Sequence, residues 1–129
     1  MKLKGGYFFK ILEVDLTTGT SSVRPFGEDF ALKYIGGRGF GARILADHLK
    51  KKKKIDPLGP DNILLLSCGL LTGTAAPASA RLHINARSPL TGLLGSSNIG
   101  GNFGAKLRSC GIQSLVIRGK SPEPVYLWL

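Results

Sequence analysis

The stretch Asn98-Ile99-Gly100-Gly101-Asn102-Phe103-Gly104-Ala105 constrains this chain more than any other. Two adjacent glycines free the backbone for positive φ and for close approach to another group. The stretch leads into Lys106-Leu107-Arg108, and the residues after the glycines read as the first turn of a short helix with Asn102 as its N-cap. A glycine-rich turn running into a helix N-terminus offers unpaired N–H groups and a positive dipole end, which suits a phosphate. A second copy lies upstream, Gly36-Gly37-Arg38-Gly39-Phe40-Gly41-Ala42-Arg43-Ile44-Leu45. Each copy reads Gly-Gly, one or two residues, Phe-Gly-Ala, a basic residue and an aliphatic one. This is a duplicated turn-helix unit whose copies are expected to superpose about a pseudo-twofold axis. Phe40 and Phe103 would then plug the core beneath each turn, and Ala42 and Ala105 would permit close helix packing. Only the second copy has Asn98 ahead of its glycines, so it is the expected phosphate site and the first serves packing. A tight strand-to-helix connection without a ligand is the alternative reading of any isolated glycine-rich turn.

The rest of the chain reads as strands joined by short turns. Tyr7 to Leu16 and Ser21 to Pro25 form an N-terminal hairpin about Thr17-Thr18-Gly19-Thr20. Residues 28–35 carry apolar side chains at helical spacing, and 41–51 read as an amphipathic helix through Ala42, Ile44, Leu45 and Leu49. Arg43, Asp47 and His48 would face outward. A breaker-rich loop spans 56–62. Ile63 to Cys68 is a continuous apolar run, as in a strand buried on both faces. After an irregular loop over 69–79, Arg81 to Arg87 alternates, with Leu82, Ile84 and Ala86 on one face and Arg81, His83, Asn85 and Arg87 on the other. Further strands are expected at 93–97, 112–118 and 125–129. Strands outnumber helices and neighbours are close enough for hairpins. The predicted class is α+β: a sheet-rich domain of two similar strand/helix repeats with two short to medium helices. The last apolar strand has no polar tail, which reads as a cut and not as a natural domain end.

Composition bounds the function. A chain of 129 residues with 43% hydrophobic residues can bury a core as one domain or a piece of one. No apolar run is long enough to cross a membrane, and the basic N-terminus has no secretory pattern. Two cysteines, Cys68 and Cys110, are too few for a disulfide framework and lack metal-ligand spacing; both read as buried, inert thiols in a cytoplasmic protein. The net charge of +10 points to an anionic partner or ligand, or to solubility. Lys50 to Lys54 reads as a solvated connection after a helix, because no aromatic residues interleave with the lysines. No nucleic-acid or membrane partner is therefore expected.

The residues build no catalytic machine. Neither a phosphate-loop lysine nor a complete G-x-G-x-x-G accompanies the glycines, and no Ser-His-Asp set or carboxylate pair stands out. What remains is an anion-binding scaffold. Were the 81–87 strand to run beside the Asn98-to-Gly101 turn, the Arg81 guanidinium and the exposed amides would together make a phosphate site.

Read in order, the motifs match a known family. They are Ile11-Leu12-Glu13-Val14-Asp15-Leu16-Thr17-Thr18-Gly19, Ile35-Gly36-Gly37-Arg38-Gly39, Asp56-Pro57-Leu58, and Gly69-Leu70-Leu71-Thr72-Gly73-Thr74 with Ala76-Pro77. Arg81, Ser88-Pro89-Leu90-Thr91-Gly92, Asn98, Gly100-Gly101, Phe103-Gly104-Ala105, Gly119-Lys120 and Pro124-Val125-Tyr126 follow. The chain resembles the N-terminal domain of the tungsten-containing aldehyde ferredoxin oxidoreductases across almost its whole length. The resemblance implies an oxidoreductase domain that binds one side of a bis-pterin tungsten (or molybdenum) cofactor. The whole enzyme would oxidise aldehydes to carboxylic acids and pass electrons through a [4Fe–4S] cluster to ferredoxin. It implies that Arg81, Asn98, Gly100 and Gly101 bind cofactor, with the Asn98 main-chain carbonyl on a magnesium bridging the pterin phosphates. The cluster and the substrate pocket would lie in C-terminal helical domains that this chain lacks, so the chain is read as truncated or split and inactive alone. Its uncovered face would then lead the isolated domain to self-associate. The family's turn proline is Leu70 here, and Ala78-Ser79-Ala80 precede the arginine in place of the usual residues. Two other readings remain: a basic module binding nucleic acid, and a remnant that keeps the fold and binds nothing.

Overall fold

The computed structural model describes residues 3, 5–52 and 54–129. The basic start at Met1, Lys2 and Lys4, and Lys53 of the lysine run, lie outside the described residues. The chain forms β1 (Lys10–Asp15), β2 (Thr20–Pro25), α1 (Glu28–Tyr34), α2 (Arg38–Lys51), β3 (Ile63–Cys68), β4 (Leu82–Arg87), β5 (Leu94–Ile99), α3 (Phe103–Ser109) and β6 (Ser114–Arg118). The six strands make one mixed sheet in the order β2-β1-β6-β3-β4-β5. Only β1 and β6 run parallel; the other pairs are antiparallel. The fold is α+β, with three helices; α1 adds to the two that follow the Gly-Gly units.

Side-chain alternation divides the core into two layers. On one face Ile11, Ile63, Leu65 and Val116 pack with Phe40, Ile44 and Leu45 of α2. On the other, Leu66, Cys68, Leu82 and Leu115 pack with Leu107 of α3 and with Ile112. Strand β3 lies inside the sheet and contributes to both layers, which is why its sequence is a continuous apolar run. Within the first layer the Phe40 ring is fully buried. Its centroid lies 4.7 Å from that of Phe30, 5.1 Å from Phe26 and 6.3 Å from Tyr7.

The two Gly-Gly units do not superpose. Gly36 and Gly37 both take positive φ, whereas in the second unit only Gly101 does. The helices also start in different frames. Arg38 opens α2, so Phe40 is its third residue; Phe103 itself opens α3. Two positions correspond to about 200° of helix rotation, and the rings diverge: Phe40 is buried and Phe103 is 42% exposed. What the units share is the glycine after the phenylalanine. A Cβ at Gly41 would lie 2.0 Å from Asn85 Oδ1, and one at Gly104 would lie 2.9 Å from the Ala80 carbonyl oxygen. Each glycine therefore lets its helix sit directly on the sheet or its flanking loop.

Three further expectations are corrected. Asn102 occupies the N-cap position of α3 but its side chain caps nothing. Val125 to Leu129 form no strand; β6, which they follow, is flanked by β1 and β3, and they join neither open edge of the sheet. The segment leaves Tyr126 and Trp128 almost fully exposed. Cys68 is buried, but Cys110 at the end of α3 is exposed. Burial pushes the Cys68 thiol up to about 11, so it stays protonated at neutral pH. In a maleimide assay on the native chain we expect one rapid equivalent, at Cys110, with the second appearing only on unfolding. Equal rates at both thiols would contradict this packing.

Candidate functional site

The β4–β5 ladder organises the site. Its register sets His83 opposite Asn98 and Leu82 opposite Ile99, so Arg81 and Gly100 face each other just past its end. Leu82 and Ile84 belong to the α3 layer. His83 and Asn85 point to the α2 side, where Gly37 and Gly41 approach them. Arg81, His83 and Asn98 line one open groove of about 490 Å³ with the 69–79 loop, including Leu70, Leu71, Pro77 and Ser79. No carboxylate lines it.

Main-chain contacts fix this corner. Thr72, buried, donates its hydroxyl to the Arg81 carbonyl at 2.8 Å and accepts the Gly69 N–H at 2.9 Å. Gly73, at φ 73°, would bring a Cβ within 3.2 Å of Ala105 Cα, so the loop lies flat against the first turn of α3. The Arg81 carbonyl is thus held by the loop while its side chain is exposed. The second guanidinium nearby is already engaged. Arg108 is buried, donates to the Gly6 carbonyl (3.1 Å) and to Gln113 Oε1 (2.6 Å), and lies 4.9 Å over the Phe8 ring.

The glycine turns differ in their free donors. In the first, Gly36 N–H bonds to Tyr34 O, Gly37 N–H to Cys68 O and Gly39 N–H to Gly36 O. That turn has committed both of its glycine amides to the fold, and it meets the expectation that the first copy serves packing. In the second, the amides of Gly100, Gly101, Asn102 and Phe103 meet no acceptor among the described residues. Gly100 and Gly101 are exposed beyond the end of β5 and do not line the groove itself. Arg81 and Asn98 therefore come together in the groove, and the two glycines flank it.

Two residues near this face carried no role in the sequence reading. Arg38 donates through Nε to Ser96 Oγ (3.2 Å) and so reaches the β5 position two residues before Asn98. The His83 ring rests on Gly37. The polar face of the 81–87 strand was visible in the alternation; that the first Gly-Gly turn sits on it was not. Among the described residues no three His, Cys, Asp or Glu side chains gather as a metal site. Among the described residues no helix is long and apolar enough to cross a membrane.

Comparison with known proteins follows the same geometry. Residues 11–129 match the family described as "Aldehyde ferredoxin oxidoreductase, N-terminal domain". The chain is 44% identical over 124 residues to the tungsten-containing aldehyde ferredoxin oxidoreductase of Pyrococcus abyssi, covering 96% of this chain and 20% of that protein. It is 37% identical over 124 residues to the aliphatic sulfonate oxidoreductase, WOR-like subunit, of Pyrococcus furiosus, covering 95% of this chain and 20% of that protein. Among solved structures, the active-site complex BamBC of benzoyl coenzyme A reductase, in complex with 1,5 dienoyl-CoA, matches with TM-score 0.86 and 35% identity. That match covers 92% of this chain and 18% of the solved one. The chain thus spans about a fifth of the length of these relatives.

Proposed function

The chain belongs to the aldehyde ferredoxin oxidoreductase N-terminal domain family, and from that premise we propose that it holds the phosphate end of a bis-pterin tungsten cofactor. The observation that carries this reading is the meeting of Arg81 and Asn98 in one groove without carboxylates, beside four unbonded amides at 100–103. Arg81 would hold a phosphate through a charge-assisted fork, and the Gly101-to-Phe103 amides would receive its oxygens. Asn98 would serve through its main-chain carbonyl, which would hold a magnesium accompanying the phosphates. Gly100 and Gly101 let the backbone leave the strand there without side chains in the way; no atom lies within 4 Å of a Cβ built on either.

When bound, the tungsten centre would supply two-electron redox chemistry. This chain contributes binding and orientation. In this reading the whole enzyme oxidises aldehydes to carboxylic acids and passes electrons through a [4Fe–4S] cluster to ferredoxin. The cluster, the rest of the pterin contacts and the substrate pocket belong to segments outside this chain. The names of the relatives support that division: a shared domain accompanies an aldehyde enzyme, a sulfonate enzyme and a benzoyl coenzyme A reductase. A part common to enzymes with such different substrates serves the cofactor better than it serves substrate choice. The test is co-purification of the assembled enzyme containing this chain, with tungsten and pterin phosphate measured. Stoichiometric cofactor is expected; an assembled, folded enzyme without pterin would overturn the reading.

The α3 face of the sheet supports a covering partner. Leu12, Val14, Ile84, Ile99 and Ile117 are only partly buried there, and Val23 is exposed. Exposed apolar area of this kind marks an interaction surface. In the assembled enzyme the remaining domains would cover it; the chain alone should self-associate. Sedimentation should show a dimer or larger species, and a clean monomer at all concentrations would contradict this.

A further inference from the structure

His83 sits in the same groove with both ring nitrogens unpartnered. Its Nδ1 is buried and has no hydrogen-bond partner. Its Nε2 meets no protein donor or acceptor among the described residues, and the ring lines the groove beside Arg81 and Asn98. Gly37 seats the ring: a Cβ there would lie 3.0 Å from His83 Cδ2, and Gly37 takes φ 51°, a conformation that disfavours side chains. The ring is therefore held by packing and not by a hydrogen bond.

That arrangement selects a tautomer. An orphaned buried N–H is rarer and costlier than an orphaned lone pair. A bare Nδ1 in the buried position places the hydrogen on Nε2. We propose that His83 is a further anion-binding residue of this groove, donating from Nε2 to a phosphate oxygen of the ligand that Arg81 anchors. The proposal rests on the reading of the groove as a phosphate site. It adds a donor on β4 directly opposite Asn98. The ligand would thus be gripped from Arg81, from the 100–103 amides and from an imidazole fixed by the first Gly-Gly unit. The first Gly-Gly unit would act on the site by positioning this ring.

The experiment is a titration of inorganic pyrophosphate into the isotope-labelled chain, followed by NMR of backbone amides, arginine Nε and imidazole nitrogens. The expected result is a free chain in which His83 carries its hydrogen on Nε2, and movement of that nitrogen together with Arg81 and Asn98 on binding. His83→Leu should weaken pyrophosphate binding about tenfold, the loss of one hydrogen bond to a charged group, and His83→Gln, which keeps a donor, should recover most of it. Movement of Arg81 and Asn98 with His83 silent, or equal affinity of His83→Leu, would overturn the proposal and leave the groove reading intact. Silence at all three residues would overturn both. The imidazole spectrum of the wild-type chain reports on the tautomer even where a variant folds poorly, and a hydrogen on Nδ1 would overturn the assignment.

Discussion

Phe40→Ala should cost this chain about 3–5 kcal/mol of stability, the range for removing a fully buried aromatic side chain. The ring has no solvent exposure and meets Phe26, Phe30 and Tyr7 at aromatic contact distances. It joins α1, α2 and the N-terminal segment over the sheet, so its loss leaves a cavity bounded by three separate elements. A small domain has about 5–15 kcal/mol in total, and the variant should unfold at much lower denaturant. Phe103→Ala is the matched control. That ring opens α3 and is half-exposed, so its removal should stay within about 1 kcal/mol of wild type. Equal losses for the two variants would mean that the rings share an environment, against the frame offset between the helices.

Arg81→Ala should reduce retention of the pterin cofactor in the assembled enzyme about tenfold or more, the effect of removing a charged hydrogen-bond partner worth about 1.5–3 kcal/mol. The fold should be untouched. Arg81 holds the loop through its carbonyl, which accepts from Thr72 and is kept in the alanine variant. Arg81→Lys keeps the charge and loses the fork, so it should fall between wild type and alanine. The readout is tungsten and pterin phosphate remaining after gel filtration, with thermal unfolding as the check on folding. Retention equal to wild type would remove Arg81 from the site.

How far the sequence carried this account differs from residue to residue. The apolar run 63–68 was legible because burial on both faces leaves no alternation to misread, and β3 spans those same residues. The 81–87 alternation was legible for the opposite reason, one face meeting α3 and the other the α2 side. Phe40 and Phe103 were misleading. Their surrounding letters match, but the start of a helix depends on where the chain stops turning: one extra residue before Phe40, and a helix start one position nearer the glycines, together shifted that frame. Val125 to Leu129 have strand composition but join neither open edge of the sheet, which composition alone does not show. Arg81 and the turn at Asn98 were singled out from the residues, on condition that their segments run side by side, and the family resemblance gave them their roles; the groove that joins them required the β4–β5 register. His83 could be placed on a polar face but not beneath Gly37, because that contact crosses forty-six residues of chain and two elements.

The most direct test is a diffraction map of the assembled, cofactor-loaded enzyme containing this chain. The account predicts pterin phosphate oxygens within about 2.7–3.2 Å of the Arg81 guanidinium and of the Gly101-to-Phe103 amides, with magnesium at the Asn98 carbonyl. Phosphates bound away from the end of the β4–β5 ladder, with Arg81 left in solvent, would contradict it.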